Sequence, residues 1–157
     1  MTPSRILLLR HAEEPDDSKN PDLTEAGRAR AEKLASFIPE QFGKPDFVFA
    51  AAVRPRSGRA YLTMRPLCDA IAVSLDASTK AKDYSVLATR LFSDAAFAGK
   101  LVVACWTHTE LPALANALEA PQGDYPDPWD ASVFNLIVQL DYSEAGKPVV
   151  TSVVQPF

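Results

Sequence analysis

Ile6-Leu7-Leu8-Leu9 is a short, unbroken apolar run, the pattern of a strand covered on both faces. A polar, proline-marked loop follows from Glu13 to Asp22. Leu23, Gly27, Ala31, Leu34, Ala35 and Ile38 then recur at helical spacing, which predicts a helix with Thr24 as N-cap and Pro39 as its stop. Phe47-Val48-Phe49-Ala50 reads as a second strand. Ala60, Met64, Leu67, Cys68 and Ile71 trace another helical face, with Pro66 inside it as an expected kink or break. Val73 to Leu75 is a candidate short strand, and Tyr84, Leu87, Ala88, Leu91, Phe92 and Ala95 form an amphipathic helix ending near Gly99.

Leu101 to Trp106 is the clearest strand of the sequence, followed directly by the helical face Leu111, Leu114, Ala115 and Leu118. A proline-rich loop from Pro121 to Asp130 leads into an expected strand from Val133 to Val138. The turn Ser143-Glu144-Ala145-Gly146 returns the chain through Val149 to Val154 as a closing hairpin. Strands alternating with helices predict a three-layer α/β/α sandwich with a mainly parallel central sheet and antiparallel closing strands. No repeat or linker interrupts the pattern, so residues 1–157 are expected to form a single domain.

Composition narrows the function classes. A chain of 157 residues buries roughly two-thirds of its surface on folding, enough for a core without disulfide or metal staples. With 47% hydrophobic residues and a mean hydropathy of −0.06, it is not a disordered sequence. No apolar run reaches the ~20 residues of a membrane span. The short apolar stretch after Arg5 is too brief for the core of a signal peptide. Cys68 and Cys105 stand far apart and make no metal or redox motif, which fits two reduced thiols and a cytoplasmic location. The net charge of −4 argues against nucleic acid as a partner.

The chemistry is expected at the C-terminal ends of the parallel strands, where open α/β sheets bind ligands. Only two histidines occur, and each follows such a strand: Leu7-Leu8-Leu9 runs into Arg10-His11, and Leu101 to Trp106 runs through Thr107 into His108. Either alone reads as an ordinary loop histidine; together they suggest one site. Arg54, Arg56, Arg59 and Arg65 crowd the segment after the second strand although the chain is acidic. With Arg10, they would gather guanidinium groups suited to bidentate phosphate contacts, Arg65 and at least one of Arg54 and Arg56 being assigned to solvent. Thr109 is positioned to cap the following helix, whose N–H groups would add donors. Glu110 serves either the helix dipole or general acid catalysis. Glu13, Glu14, Asp16 and Asp17 read as a solvated acidic run.

Four segments, in order between residues 5 and 118, carry a resemblance. Leu8-Leu9-Arg10-His11-Ala12 resembles the Arg-His-Gly/Ala signature of the histidine phosphatase superfamily, whose fold is phosphoglycerate mutase-like. Leu23-Thr24-Glu25-Ala26-Gly27-Arg28-Ala29-Arg30-Ala31 is similar to its Leu-Thr-x-x-Gly-x-x-Gln-Ala segment, with Arg30 in place of Gln. Ser57-Gly58-Arg59-Ala60-Tyr61-Leu62-Thr63 resembles the stretch holding its second arginine, and Val102 to His108 its second histidine strand. The usual Ser-Ser-Pro-Leu before the second arginine is absent and Arg54-Pro55-Arg56 stands nearby, so Arg59 is preferred over Arg56 on its spacing to Thr63.

The resemblance implies phosphoryl transfer to His11, with no metal and no organic cofactor. Arg10, Arg59 and His108 would hold the phosphoryl oxygens, and Thr109, from the helix-start reading above, is expected to add to the phosphate site. Glu110 would be the acid and base, with Asp83 as fallback. The expected activity is hydrolysis of a phosphomonoester or phosphohistidine on a small molecule or a phosphoprotein. Phosphoglycerate mutase-type transfer fits less well, because those members are longer and enclose their substrate. A non-catalytic phosphate-binding module and a metallohydrolase using both histidines are the remaining readings. Tyr125 and Trp129 are expected either to rim the site or, for Trp129, to pack beneath its loop.

Overall fold

A computed structural model of the chain describes residues 2–17, 19–52, 58–144 and 146–157. Arg54 and Arg56 lie outside the described residues.

Among the described residues, six strands and four α-helices alternate as the sequence predicts: β1 (Arg5–Arg10), α1 (Glu25–Phe42), β2 (Phe47–Ala50), α2 (Arg59–Ile71), β3 (Leu75–Asp76), α3 (Tyr84–Ser93), β4 (Leu101–Trp106), α4 (Leu111–Ala117), β5 (Leu136–Asp141) and β6 (Val149–Val154). They form one sheet in the order β3-β2-β4-β1-β5-β6. β3, β2, β4 and β1 run parallel; β5 is antiparallel to β1, and β6 to β5. Ile6 to Leu9 are each at most 1% exposed although successive side chains point to opposite faces, so helices cover the sheet on both sides. α1 packs on α2, and α3 on α4, completing the α/β/α layering.

The apolar spacing located the elements, while several boundaries differ. Pro39 does not stop α1, which continues to Phe42 and ends at Gly43, where φ is 92° and the N–H reaches the Pro39 carbonyl. Ile38 is fully buried and Phe42 packs on the core, which offsets the one backbone bond a proline forfeits. Pro66 likewise does not break α2, because Leu67 and Cys68 beyond it are buried. The short third strand lies at Leu75–Asp76 rather than Val73–Leu75. α3 closes at Ser93, with a separate single turn at Ala95–Phe97. β5 begins at Leu136 instead of Val133, because residues 130–133 form a turn: the Val133 N–H bonds the Asp130 carbonyl, and the Trp129 indole bonds Val133.

Candidate active site

Adjacent strands β1 and β4 are in register, Arg10 opposite Trp106, and the two chains leave their C-terminal ends in opposite directions, toward β2 and toward β5. That divergence opens a crevice at the sheet edge. His11 enters it with its backbone N–H on the Trp106 carbonyl at 3.2 Å. Its neighbour Ala12 is buried, and the Ala12 N–H is held by Thr63 Oγ1 at 2.9 Å, while the same hydroxyl donates to the Arg59 carbonyl at 2.7 Å. One turn of α2, from Arg59 to Thr63, thus fixes the end of β1 beside the helix start that carries Arg59.

The His11 ring is 4% exposed, with Nδ1 2.8 Å from the Ala12 carbonyl oxygen. A carbonyl only accepts, so Nδ1 carries the proton and the lone pair is on Nε2. Burial first, and then the charges of Arg10 and Arg59, lower the pKa from 6.5 to about 4 against the opposing effects of the Ala12 carbonyl and Glu14. The imidazole is neutral at physiological pH, with a nucleophilic nitrogen available. His108 is also lowered, by burial and then by Arg10, opposed by Glu14 and Asp130.

Arg10 is 1% exposed. Its guanidinium lies 3.9 Å from the centroid of Phe134, donates through Nη1 to the Ala131 carbonyl and through Nη2 to Glu14 Oε1 at 3.0 Å. Its Nε has no partner among the described residues. Arg59 places Nη1 2.7 Å from Glu14 Oε2, and its other nitrogens reach the Asp22 and Asn20 carbonyls. Two guanidinium groups therefore share one carboxylate. The pair retains net positive charge, and a buried N–H remains unmet. This arrangement suits an anion.

Glu14 and Phe134 are the residues that sequence reasoning missed. The acidic run is not uniformly solvated: Glu14 bridges Arg10 and Arg59, and Glu13 receives Arg30 at 2.9 and 3.1 Å. Burial would raise the Glu13 carboxyl, but the Arg30 bonds hold it below its ordinary value. Arg30 also reaches Gln155 and the Phe157 carbonyl, tying α1 to the end of the sheet. The signal available in sequence was spacing, since Glu14 stands one helical-turn distance after Arg10, but a loop conceals such a relation.

The remaining candidates are placed as follows. Thr109 does not cap α4. Glu110 is the N-cap, without a side-chain cap bond, because the Thr107 carbonyl takes both the Glu110 and Leu111 N–H groups. Pro112 removes another donor, so this seven-residue helix offers little to an anion. Thr109 is exposed beside His108, its hydroxyl 3.4 Å from that of Thr107. Glu110 is half-buried, two residues past His108. Asp83 is exposed as the N-cap of α3 and makes no side-chain cap bond there. Arg65 is exposed and pairs loosely with Asp69 at 3.8 Å, as expected of a solvated arginine. Tyr125 and Trp129 are 7% and 5% exposed, so they form a wall rather than a free rim. No three His, Cys, Asp or Glu side chains converge as a metal site among the described residues.

No family model and no curated protein sequence matches the chain. Solved structures do. A protein histidine phosphatase SixA complexed with tungstate superposes with a TM-score of 0.73 at 14% identity, covering 96% of each chain. A mycobacterial glucosyl-3-phosphoglycerate phosphatase with inorganic phosphate gives 0.63 at 16% identity, covering 97% of this chain and 96% of the other. A phosphoserine phosphatase from Entamoeba histolytica gives 0.62 at 16%, over 96% and 95%. These likenesses span the whole sheet and its helices, and the fold of this chain is that of the histidine phosphatases.

Proposed function

We propose that the chain is a metal-independent phosphatase of the histidine phosphatase superfamily, hydrolysing a phosphomonoester or phosphohistidine through a phosphohistidine on His11. The observation that carries this reading is a buried, neutral His11 with Nε2 unprotonated, set beside two guanidinium groups that share one carboxylate. The structural relatives named as phosphatases, one with tungstate and one with inorganic phosphate, support it.

In the first step His11 Nε2 attacks phosphorus and the bond to the leaving oxygen breaks. Arg10, Arg59 and His108 hold the phosphoryl oxygens, with the Thr109 hydroxyl as the outermost donor, and stabilise charge in the transition state. Glu110 gives its proton to the leaving oxygen. In the second step water passes a proton to Glu110 while its oxygen attacks phosphorus; the N–P bond breaks, releasing inorganic phosphate and neutral His11.

Purified protein should hydrolyse an aryl phosphate at a rate unchanged by EDTA, and His11→Ala should abolish it. Activity that persists in that variant removes the nucleophile assignment. Loss to EDTA restored by zinc supports the metallohydrolase reading instead. Phosphate binding without turnover supports a binding module, and transfer to a phosphoglycerate acceptor faster than to water supports a mutase.

A further inference from the structure

A cleft of about 710 Å³ opens against His108, and Arg59 is not part of its lining. That volume is in the range of small-molecule sites. One wall is aromatic, from Tyr125 and Trp129, and the indole N–H of Trp129 is already bonded to the Val133 carbonyl at 3.1 Å. Asn116 and Gln122 supply neutral hydrogen-bonding groups, and Asp127 and Asp130 supply two carboxylates. No lysine or arginine lines the cleft among the described residues. Neither carboxylate has an ion-pair partner among those residues.

The cleft is joined to the phosphate-binding side by the loop that forms its floor. The Ala131 carbonyl accepts from Arg10, and Asp130 precedes it directly. Asp130 Oδ1 is occupied by the Ser132 N–H at 2.8 Å and hydroxyl at 2.7 Å, which fixes the carboxylate, while Oδ2 accepts from none of the described residues. These Ser132 bonds first, and then the charges of Arg10 and His108, hold the Asp130 carboxyl below its ordinary value, so it stays ionised. A phosphoryl group gripped by Arg10, His11 and His108 therefore has cationic surroundings, whereas the space past His108 is anionic.

We propose that this cleft receives the leaving group of a small phosphomonoester and selects one that carries a positive charge. The proposal rests on the phosphatase reading above and deepens it by naming the substrate class. Charge pairs at contact distance in a solvated cleft shift binding by roughly fivefold per pair, so a cationic leaving group should outrun an anionic one by tenfold or more at low salt. The aromatic wall adds a face for an ammonium group.

Three phenyl phosphates with near-equal intrinsic reactivity supply the test: 4-(aminomethyl)-, 4-(hydroxymethyl)- and 4-(carboxymethyl)phenyl phosphate. The expected order of kcat/KM follows that sequence, with about a tenfold or larger span between first and last that narrows as salt is raised. The ratio of the aminomethyl to the carboxymethyl substrate should fall toward one in Asp127→Asn and in Asp130→Asn, and should invert in Asp127→Lys. A ratio within one preparation is independent of how much enzyme is folded. Equal kcat/KM for the three substrates, or a ratio untouched by the Asp127 and Asp130 substitutions, overturns the proposal while leaving the phosphatase reading intact. Failure to hydrolyse any of them, or hydrolysis that survives His11→Ala, overturns both.

Discussion

Gly27 gives the sharpest test of how the site is held. It lies in the first turn of α1, where its N–H bonds the capping Thr24 Oγ1 at 3.0 Å and its Cα faces the backbone just beyond His11. A Cβ built on Gly27 would sit 2.4 Å from the Glu13 carbonyl oxygen and 3.0 Å from the Glu13 nitrogen. Ordinary contact begins near 3.4 Å, so Gly27→Ala demands about 1 Å of movement between α1 and the loop. The obstacle is backbone, which does not rotate away. Overpacking of this kind costs about 1–3 kcal/mol, and the better helix propensity of alanine returns about 1 kcal/mol. The Thr24 N–H bond to the Glu13 carbonyl at 3.0 Å is strained by the same shift, adding about 1 kcal/mol. A net loss of about 2 kcal/mol is expected, read from urea denaturation. Because Glu14 and the His11 loop move with Glu13, kcat/KM should fall by tenfold or more, toward the ~100-fold that a misplacement of about 1 Å can produce. Ala29→Gly, at an exposed position of the same helix, isolates the propensity effect: it should lose about 1 kcal/mol and leave kcat/KM unchanged. A Gly27→Ala protein at least as stable as the native chain, with native kcat/KM, refutes the close-approach argument.

Other outcomes follow from the same geometry. Glu14→Gln removes the carboxylate shared by Arg10 and Arg59; inorganic phosphate, measured by calorimetry, should bind several-fold tighter, while folding stability drops by about 1–3 kcal/mol. Weaker phosphate binding would show that Glu14 serves only to aim the guanidinium groups. In an NMR titration His11 should gain its proton near pH 4; a midpoint near 6.5 would contradict its burial. Because its pKa is lower folded than unfolded, the native state binds fewer protons between those values. This contribution to stability is complete above about 6.5 and is lost as pH falls toward 4, so denaturation midpoints should decline across that window. Glu110→Gln should slow esters with poor leaving groups far more than activated aryl esters, and equal slowing would assign the proton to another group.

The fold was legible because its signals are periodic. Buried parallel strands leave continuous apolar runs, and Leu101 to Trp106 and Ile6 to Leu9 were visible as such. Boundaries were less visible where packing outweighs local preference, as at Pro39 and Pro66, or where a turn interrupts an apolar stretch, as at Val133. At the candidate site, the sequence singles out Arg10 and His11 by their position after a strand and Arg59 by its spacing to Thr63, and the Thr63 hydroxyl, bonded to the Ala12 N–H and the Arg59 carbonyl, gives that spacing a physical meaning. Glu14 and Phe134 were not found, because their relation to Arg10 is made by loops whose course no periodicity encodes. The same limit applies to Thr109: the sequence offered a capping residue, and the Thr107 carbonyl moved the cap to Glu110.

The central claim is a covalent bond between His11 Nε2 and phosphorus. Rapid acid-free quenching during turnover of an aryl phosphate, followed by peptide mass spectrometry, reads it directly. The account predicts one phosphoryl group on the peptide containing His11, stable in base, lost in acid, and absent from His11→Ala. Steady hydrolysis with no phosphorylated His11 at any time during turnover, or the phosphoryl group on His108 instead, would contradict it.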